Sequence, residues 1–161
     1  MIDLSIIIVS WNTKEYLLPC VKLIFEEGEG ISLEVIIVDN GSQDGSGSEV
    51  KRAFPFVHLI ENERNLGFAK AANQGLQKAS GRYFLLLNPD TQVKNKVIKQ
   101  LVSFMDTHLD VGVAGVQLFN ADGSKQNSIA NFPSLSTELL NKRLLRWLFP
   151  KTFPGKERDY P

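Results

Sequence analysis

An α/β sandwich with a mostly parallel central sheet is the fold class this sequence predicts, and three observations predict it. Five short runs rich in Ile, Val and Leu recur along the 161 residues: Leu4 to Val9, Leu33 to Val38, Val57 to Ile60, Tyr83 to Leu87 and Val111 to Val116. Their hydrophobicity is continuous instead of alternating, the pattern of strands covered on both faces. Segments of helical periodicity fill most of the gaps, and strand and helix in alternation suit right-handed crossover connections.

Each helical segment has its own justification. Leu17, Leu18, Val21, Ile24 and Phe25 share one helical face, and Gly28 and Gly30 follow as stop signals. Pro19 falls within that pattern, so the helix is expected to start late or to bend. Ser46 and Glu49 have capping-box spacing ahead of a short helix that ends near Pro55. Ala69, Ala72, Leu76 and Ala79 form a small-residue stripe between Gly67 and Gly81, suited to close packing on a sheet. Val97, Ile98, Leu101, Val102 and Met105 make a fourth apolar face, with Asn95 as its N-cap. After Val116 the pattern changes: Gln117 to Gln126 places Asp122-Gly123 between two short extended pieces and reads as a hairpin.

Composition narrows the function classes. With 43% hydrophobic and 22% charged residues the chain is an ordinary globular sequence, long enough to bury a sizeable core. Eighteen basic residues balance eighteen acidic ones, which argues against a sequence-independent polyanion binder and so against a nucleic-acid partner. The balance is uneven: residues 139–161 carry a net +4 and the remainder a net −4. The lone Cys20 excludes an internal disulfide and fits a reducing, cytoplasmic setting. Asp3 stands where a signal peptide wants positive charge, and the apolar run beside it is too short to span a membrane.

In open parallel sheets, ligands bind beyond the carboxyl ends of the strands, so the residues after each strand are the ones to inspect. Here they are polar: Ser10-Trp11-Asn12, Asp39-Asn40-Gly41-Ser42 and Asn88-Pro89-Asp90-Thr91. Two carboxylates, Asp39 and Asp90, are thereby aimed at one edge. Asp90, in a turn stiffened by Pro89, suits a hard divalent cation that keeps waters and substrate phosphates in its shell. Asp39 suits hydrogen bonds from a nucleobase N–H or a ribose hydroxyl. The plainer alternatives are that Asp39, with Gly41 and Ser42, builds a turn and that Asp90 caps a helix. A calcium loop at Asp39 to Val50 lacks the acid required at its twelfth position, and neither a phosphate loop nor a G-x-G-x-x-G turn is present. His58 and His108 have no partner spacing for zinc and read as structural, as does Cys20.

Five segments carry a more specific signal: "SIIIVSWN" (Ser5 to Asn12), "VIIVDNGSQDGS" (Val35 to Ser46), "NLGFAKAANQGL" (Asn65 to Leu76), "LLLNPDT" (Leu85 to Thr91) and "NADGSKQNS" (Asn120 to Ser128). In this order and spacing the chain resembles the N-terminal, donor-binding portion of family 2 glycosyltransferases, particularly rhamnosyltransferase-like members. The resemblance implies a GT-A-type, Rossmann-like three-layer sandwich, the nucleotide-diphospho-sugar transferase fold. It also implies a nucleobase pocket lined by Val9, Ser10 and Trp11, with Asp39 bonded to the pyrimidine and Asn40 alongside. Asn65 and the helix opened by Gly67 and Phe68 border the nucleotide, with Lys70 near the phosphates, and Asn73 is expected to brace the Asn88-Pro89-Asp90 loop. Asn88-Pro89-Asp90 occupies the family's D-x-D position, where Asp90 would hold Mg²⁺ or Mn²⁺ and Asn88 would hydrogen-bond a ribose or sugar hydroxyl.

Two departures qualify the resemblance. Asn88 removes one negative charge from the metal-binding pair. The carboxylate base that an inverting transferase needs is also not identifiable, because after Ser128 the acids are Glu138, Glu157 and Asp159, none in an acidic pair after a strand. Residues 1–137 are therefore expected to form a nucleotide-sugar-binding domain that lacks the acceptor half, and 138–161 a basic amphipathic tail. That tail, with Leu140, Leu144, Trp147 and Leu148 on one side, would either rest on the inner face of a membrane bearing lipid-linked acceptors or pack against the missing part of the domain or another subunit. The implied activity is transfer of a sugar from a UDP- or dTDP-sugar, dTDP-rhamnose among them, to a saccharide or lipid-linked acceptor in cell-envelope polysaccharide synthesis. Two other readings compete with it. One is a non-catalytic interaction module of the same fold. The other is a nucleotidyltransferase, disfavoured because Ser10-Trp11-Asn12-Thr13 replaces the basic glycine-rich loop such enzymes need. A homodimer would cover surface left by a missing half.

Overall fold

The computed structural model describes residues 1–94, 96–126 and 147, in two compact units, Met1–Gly112 and Val113–Pro161. In the first unit four strands form one sheet: β1 (Leu4–Ser10), β2 (Leu33–Asp39), β3 (His58–Glu61) and β4 (Tyr83–Leu87). Their order is β3-β2-β1-β4 and every pairing is parallel, with Ser10 opposite Asp39 and Ile8 opposite Leu87.

Helices α1 (Lys14–Glu27), α2 (Ser46–Ala53), α3 (Phe68–Lys78) and α4 (Val97–Thr107) connect and follow the strands. Leu4, Ile6 and Ile8 of β1 and Val35 and Ile37 of β2 share a buried cluster with Leu17, Val21 and Ile24 of α1, Val50 of α2 and Ile98 and Val102 of α4. The opposite face presents Ile7 and Val38 to α3, which meets them with Ala71, Ala72 and Gly75. The result is the expected three-layer sandwich, and continuous hydrophobicity in β1 and β2 reflects burial on both sides.

Several expectations change. Val111 to Val116 is not a strand, and Val113 is 91% exposed: β-branched residues make a strand only against a partner, and none pairs with this segment among the described residues. Burial of β4 alternates, with Phe84 55% and Leu86 49% exposed, since α3 lies over β1 and β2 and leaves this edge strand half covered. Helix α1 starts at Lys14 and carries Pro19 in its interior, so its start is not delayed. The Ser46/Glu49 capping box does not form: the amide of Ser46 donates to Asp44 instead, and Glu49 pairs with Lys14 and Arg52. The buried stripe of α3 is Ala71, Ala72 and Gly75, one step round the helix from the expected set, and leaves Ala69 and Asn73 exposed. Asn95 and the tail from residue 138, Trp147 apart, lie outside the described residues. In the second unit the hairpin turn is present: Gly123 takes φ +83 and Phe119 bridges Lys125 antiparallel.

At the amino-terminal edge of the sheet, Glu34 holds three elements together. Its Oε1 accepts from Ser5 Oγ at 2.6 Å, Ser80 N at 2.7 Å and Ser80 Oγ at 2.9 Å, and Ser5 Oγ in turn accepts from Gly81 N. Burial pushes this carboxyl up, but the hydrogen bonds from Ser5 and Ser80, aided by nearby His58, outweigh it and hold the group below its ordinary value. A depressed carboxyl stabilises the fold fully above its unfolded-chain value, about 4.3, and less as pH falls through the native one. Glu34→Ala should cost about 2–3 kcal/mol at pH 7 by leaving those donors without their acceptor. The gap in melting temperature from the wild type should narrow between pH 5 and 3; a gap independent of pH contradicts this account.

Gly75 is the closest approach of helix to sheet, where a Cβ would lie 2.4 Å from Ile7 Cγ2. Overpacking costs about 1–3 kcal/mol, against about 1 kcal/mol of helix propensity gained by alanine. The net cost is about 1 kcal/mol, so Gly75→Ala should lower the melting temperature by roughly 2–4 °C in thermal unfolding.

Candidate functional site

All four strands run the same way, so the turns after β1, β2, β3 and β4 gather at one edge of the sheet. Backbone pairing continues one rung past the strands, with Asn40 N donating to Ser10 O and Asn62 N to Asp39 O, each at 2.8 Å. Asp39 is 6% exposed; its Oδ1 accepts from Ser42 N at 2.8 Å, while Oδ2 faces Gly47, where a Cβ would sit 2.5 Å from it. One oxygen thus builds the turn and the other is spent on no hydrogen bond among the described residues, so the turn-building and ligand-binding readings are compatible.

Three loops are fastened into one rim. Asn12 adopts the left-handed conformation at φ 52, which brings its amide N to Ser42 Oγ at 2.9 Å and its Oδ1 to the amide of Gln43 at 2.8 Å. Asp44 adds to this clasp by accepting from Lys14 N and Ser46 N. Gly41 has φ +82, and a Cβ on it would fall 2.7 Å from Arg64 Cα, so the loop after β2 lies directly on the loop after β3. Only glycine suits both the angle and the approach.

Under this rim lies a cluster of side-chain amides. Asn40, 2% exposed, donates from Nδ2 to Asn65 Oδ1 at 2.8 Å and accepts on Oδ1 from Leu66 N and Asn62 Nδ2. Asn65 Oδ1 also accepts from Gly67 N, at the start of α3. Asn40 therefore faces inward and holds the loop that carries Asn65 and Gly67.

On the other side of β1, the Asn88-Pro89-Asp90 turn leaves Asn88 and Asp90 exposed. The next helix begins only at Val97, so Asp90 caps no helix, which removes that alternative. Beneath the turn, Cys20 of α1 donates its thiol to the carbonyl of Asn88 at 3.8 Å. Burial, and then the charge of Asp90, push this thiol up to about 11. A group titrating there is a neutral packing residue at pH 7, as the sequence suggested.

Asp39, the last residue of β2, and Asp90, just past β4, lie at the ends of strands two positions apart, about 10 Å at ordinary strand spacing, with Ser10 ending the strand between and Trp11 following it. Val9 is half-buried, Ser10 is buried with its hydroxyl on Thr13, and Trp11 is 54% exposed. Lys70 is exposed in the first turn of α3. Asn73 is exposed and makes no hydrogen bond among the described residues, so it does not brace the Asn88–Asp90 turn; the structure gives that contact to Cys20. Asn12 is among the polar strand-end residues, but sequence reading missed its role in the clasp, as it missed Asn62 and Gln74. Asn62 directly follows β3 and fits the strand-end rule, whereas Gln74 has no signal, since a glutamine in a helix usually faces solvent.

No group of three or more His, Cys, Asp or Glu able to hold a metal ion occurs among the described residues. The donor set at the Asn88–Asp90 turn is one carboxylate and one amide, both oxygen donors. It suits a hard divalent cation only as part of a shell completed by a ligand's own oxygens and by water.

The model of the family described as "Glycosyl transferase family 2" matches residues 5–155. The chain is 27% identical over 144 residues to the minor teichoic acid biosynthesis protein GgaB of Bacillus subtilis, covering 86% of this chain and 16% of that protein. Its structure is similar to S. aureus TarS 1-349 in complex with UDP-GlcNAc, with a TM-score of 0.60, 23% identity, and coverage of 73% of this chain and 37% of that one. It is also similar to the mannosyltransferase PcManGT from Pyrobaculum calidifontis in complex with GDP-Man and Mn²⁺, with a TM-score of 0.55, 25% identity, and coverage of 62% and 30%. The chain thus spans well under half the length of each. A GT-A sheet with its polar turns at one edge, together with a family match over nearly all of the sequence, shows that the chain belongs to glycosyl transferase family 2.

Proposed function

We propose that this chain is the donor-binding half of a glycosyltransferase: it holds a nucleoside-diphosphate sugar, with Mg²⁺ or Mn²⁺, across the carboxyl edge of the sheet. The observation that carries this reading is the placement of Asp39 and Asp90 at the carboxyl ends of the strands on either side of β1, at the edge where the loops meet. Asp39 would read the base through its unspent Oδ2, with Trp11 and the backbone of Val9 and Ser10 forming the wall beside it. Asn65 and Gly67 would border the nucleotide, and Lys70 would lie near the diphosphate. Asn88 would meet a ribose or sugar hydroxyl, and Asp90 would hold the cation.

The cation would supply positive charge against the diphosphate leaving group. The chain's own work is to fix the donor: a rim with little freedom loses little entropy on binding, and the amides under it keep its backbone groups in place. In the whole protein the sugar would pass, with inversion, to a saccharide or lipid-linked acceptor in cell-envelope polysaccharide synthesis. Two similarities support this: to GgaB, a teichoic acid biosynthesis protein, and to TarS, bound to UDP-GlcNAc. UDP- and dTDP-sugars both suit the site; rhamnose rests on the sequence resemblance alone. Among the described residues no helix is long and apolar enough to cross a membrane.

Calorimetric titration with UDP, dTDP and GDP, with and without Mn²⁺, tests the reading. Binding should require the metal, and Asp90→Ala should abolish the difference between the two conditions. Asp39→Ala should weaken binding about 10- to 100-fold, the worth of a hydrogen bond to a charged acceptor. Failure of all three nucleotides to bind would favour the non-catalytic module instead.

A further inference from the structure

We propose that Asn62 and Gln74 are positioning residues for the donor site, an inference that rests on the donor reading above and extends it into the layer behind the rim. The two side chains form a reciprocal amide pair: Asn62 Nδ2 donates to Gln74 Oε1 and Gln74 Nε2 donates to Asn62 Oδ1, both at 2.9 Å. The second hydrogen of Asn62 Nδ2 goes to Asn40 Oδ1 at 3.1 Å, and the backbone N–H of Asn62 goes to the carbonyl of Asp39. A continuous path therefore runs from α3, through Gln74 and Asn62, to Asn40 and the backbone of Asp39. From Asn40 it reaches Asn65 and the amide of Leu66, and from Asn65 the amide of Gly67.

This network admits one orientation. Asn40 Oδ1 already takes two donors, so turning the Asn62 amide over would set its oxygen against that oxygen, and turning Asn40 over would set an NH₂ against the amide of Leu66. The neighbouring inward positions of α3 are Ala71, Ala72 and Gly75, small residues that fix how close the helix comes to the sheet without fixing the loop before it. An apolar side chain at position 74 would bury as readily and would leave Asn62 with one partner fewer. What the amide pair adds is direction: it ties the 62–67 loop to a helix seated on the sheet. Asn65 and Gly67 are thereby held relative to Asp39.

Among the described residues the Gln74 side chain hydrogen-bonds only Asn62, and none of the residues proposed to meet the nucleotide, which makes it the clean position to change. Gln74→Leu keeps the volume and deletes both bonds, whereas Gln74→Glu keeps an acceptor for Asn62 Nδ2. In Gln74→Leu, amide hydrogen exchange followed by NMR should rise about tenfold at Leu66 and Gly67, with β1 and β2 amides unchanged. Affinity for UDP with Mn²⁺ should fall about five- to tenfold, and Gln74→Glu should recover part of the loss. Exchange that rises evenly across the sheet in step with a lowered melting temperature would reduce the pair to a structural role and overturn the proposal. A Gln74→Leu protein that binds UDP as the wild type does would overturn this inference alone. A wild type that binds no nucleotide would overturn the donor reading, and this inference with it.

Discussion

The pairing of β1 with β2 on one side and β4 on the other constrains the rest of this structure. Parallel strands buried between helices cannot spare polar side chains along their length, because an unpaired polar group in such a layer costs several kcal/mol, on the order of 2–7. Polar groups are therefore pushed to the strand ends, and parallel direction gathers them at two edges. Glu34, Ser5 and Ser80 occupy the amino-terminal edge, where three donors converge on Glu34 Oε1 and tie the elements together. At the carboxyl edge, Asp39, Asn88 and Asp90 keep acceptors in reserve. One edge is a clamp and the other is open chemistry, and the same topology produces both.

What separates a binding edge from a floppy set of loops is the layer behind it. The turns after β1, β2 and β3 are joined by backbone-to-side-chain hydrogen bonds through Asn12, Ser42, Asp44 and Asn40, residues whose short side chains reach neighbouring backbone without long flexible stems. In these three turns the positive φ angles fall on positions that can bear them: Asn12 in the left-handed region, and glycine at 41, 45 and 67. The turn after β4 is fastened differently, by the neutral Cys20 thiol beneath the Asn88 carbonyl, a weak contact. Among the described residues the Asp39 side of the edge is thus held by many bonds and the Asp90 side by few. In the proposed donor site that difference would suit a turn whose geometry is completed by a cation and a diphosphate.

The parts of the fold set by burial were legible in the sequence. Continuous apolar runs located β1 to β4 to within a residue, and Gly28 marked the end of α1. Features that depend on a partner were not. Val111 to Val116 has the composition of a strand and joins no ladder among the described residues; Ser46 and Glu49 have the spacing of a capping box, yet Asp44 and Lys14 compete for the same groups. The stripe on α3 was misplaced because Ala69 and Ala71 look alike in a sequence, and only the seat of Gly75 on Ile7 fixes the helix rotation. At the site, the position of Asp39 and Asp90 could be read from strand ends. The inward turn of Asn40 and the Asn62–Gln74 pair could not, since both are contacts across the fold with no local pattern.

Charge is the remaining element, and it turns on Asn88. In the proposed donor site a divalent cation beside two carboxylates would present almost no net charge to a diphosphate. Beside Asp90 alone it keeps about one unit, and at an effective dielectric near 20 a unit-charge pair 4 Å apart is worth about 4 kcal/mol. The same exchange weakens the protein's own hold on the metal, because one carboxylate and one amide make a poor shell without further oxygens. Nucleotide and cation would then bind together, each supplying what the other's site lacks. Negative charge growing on the departing diphosphate would meet a cation that is incompletely neutralised by the protein. On this view asparagine at position 88 shifts metal binding from the free protein to the donor complex, and leaves Asp90 to fix where the metal sits.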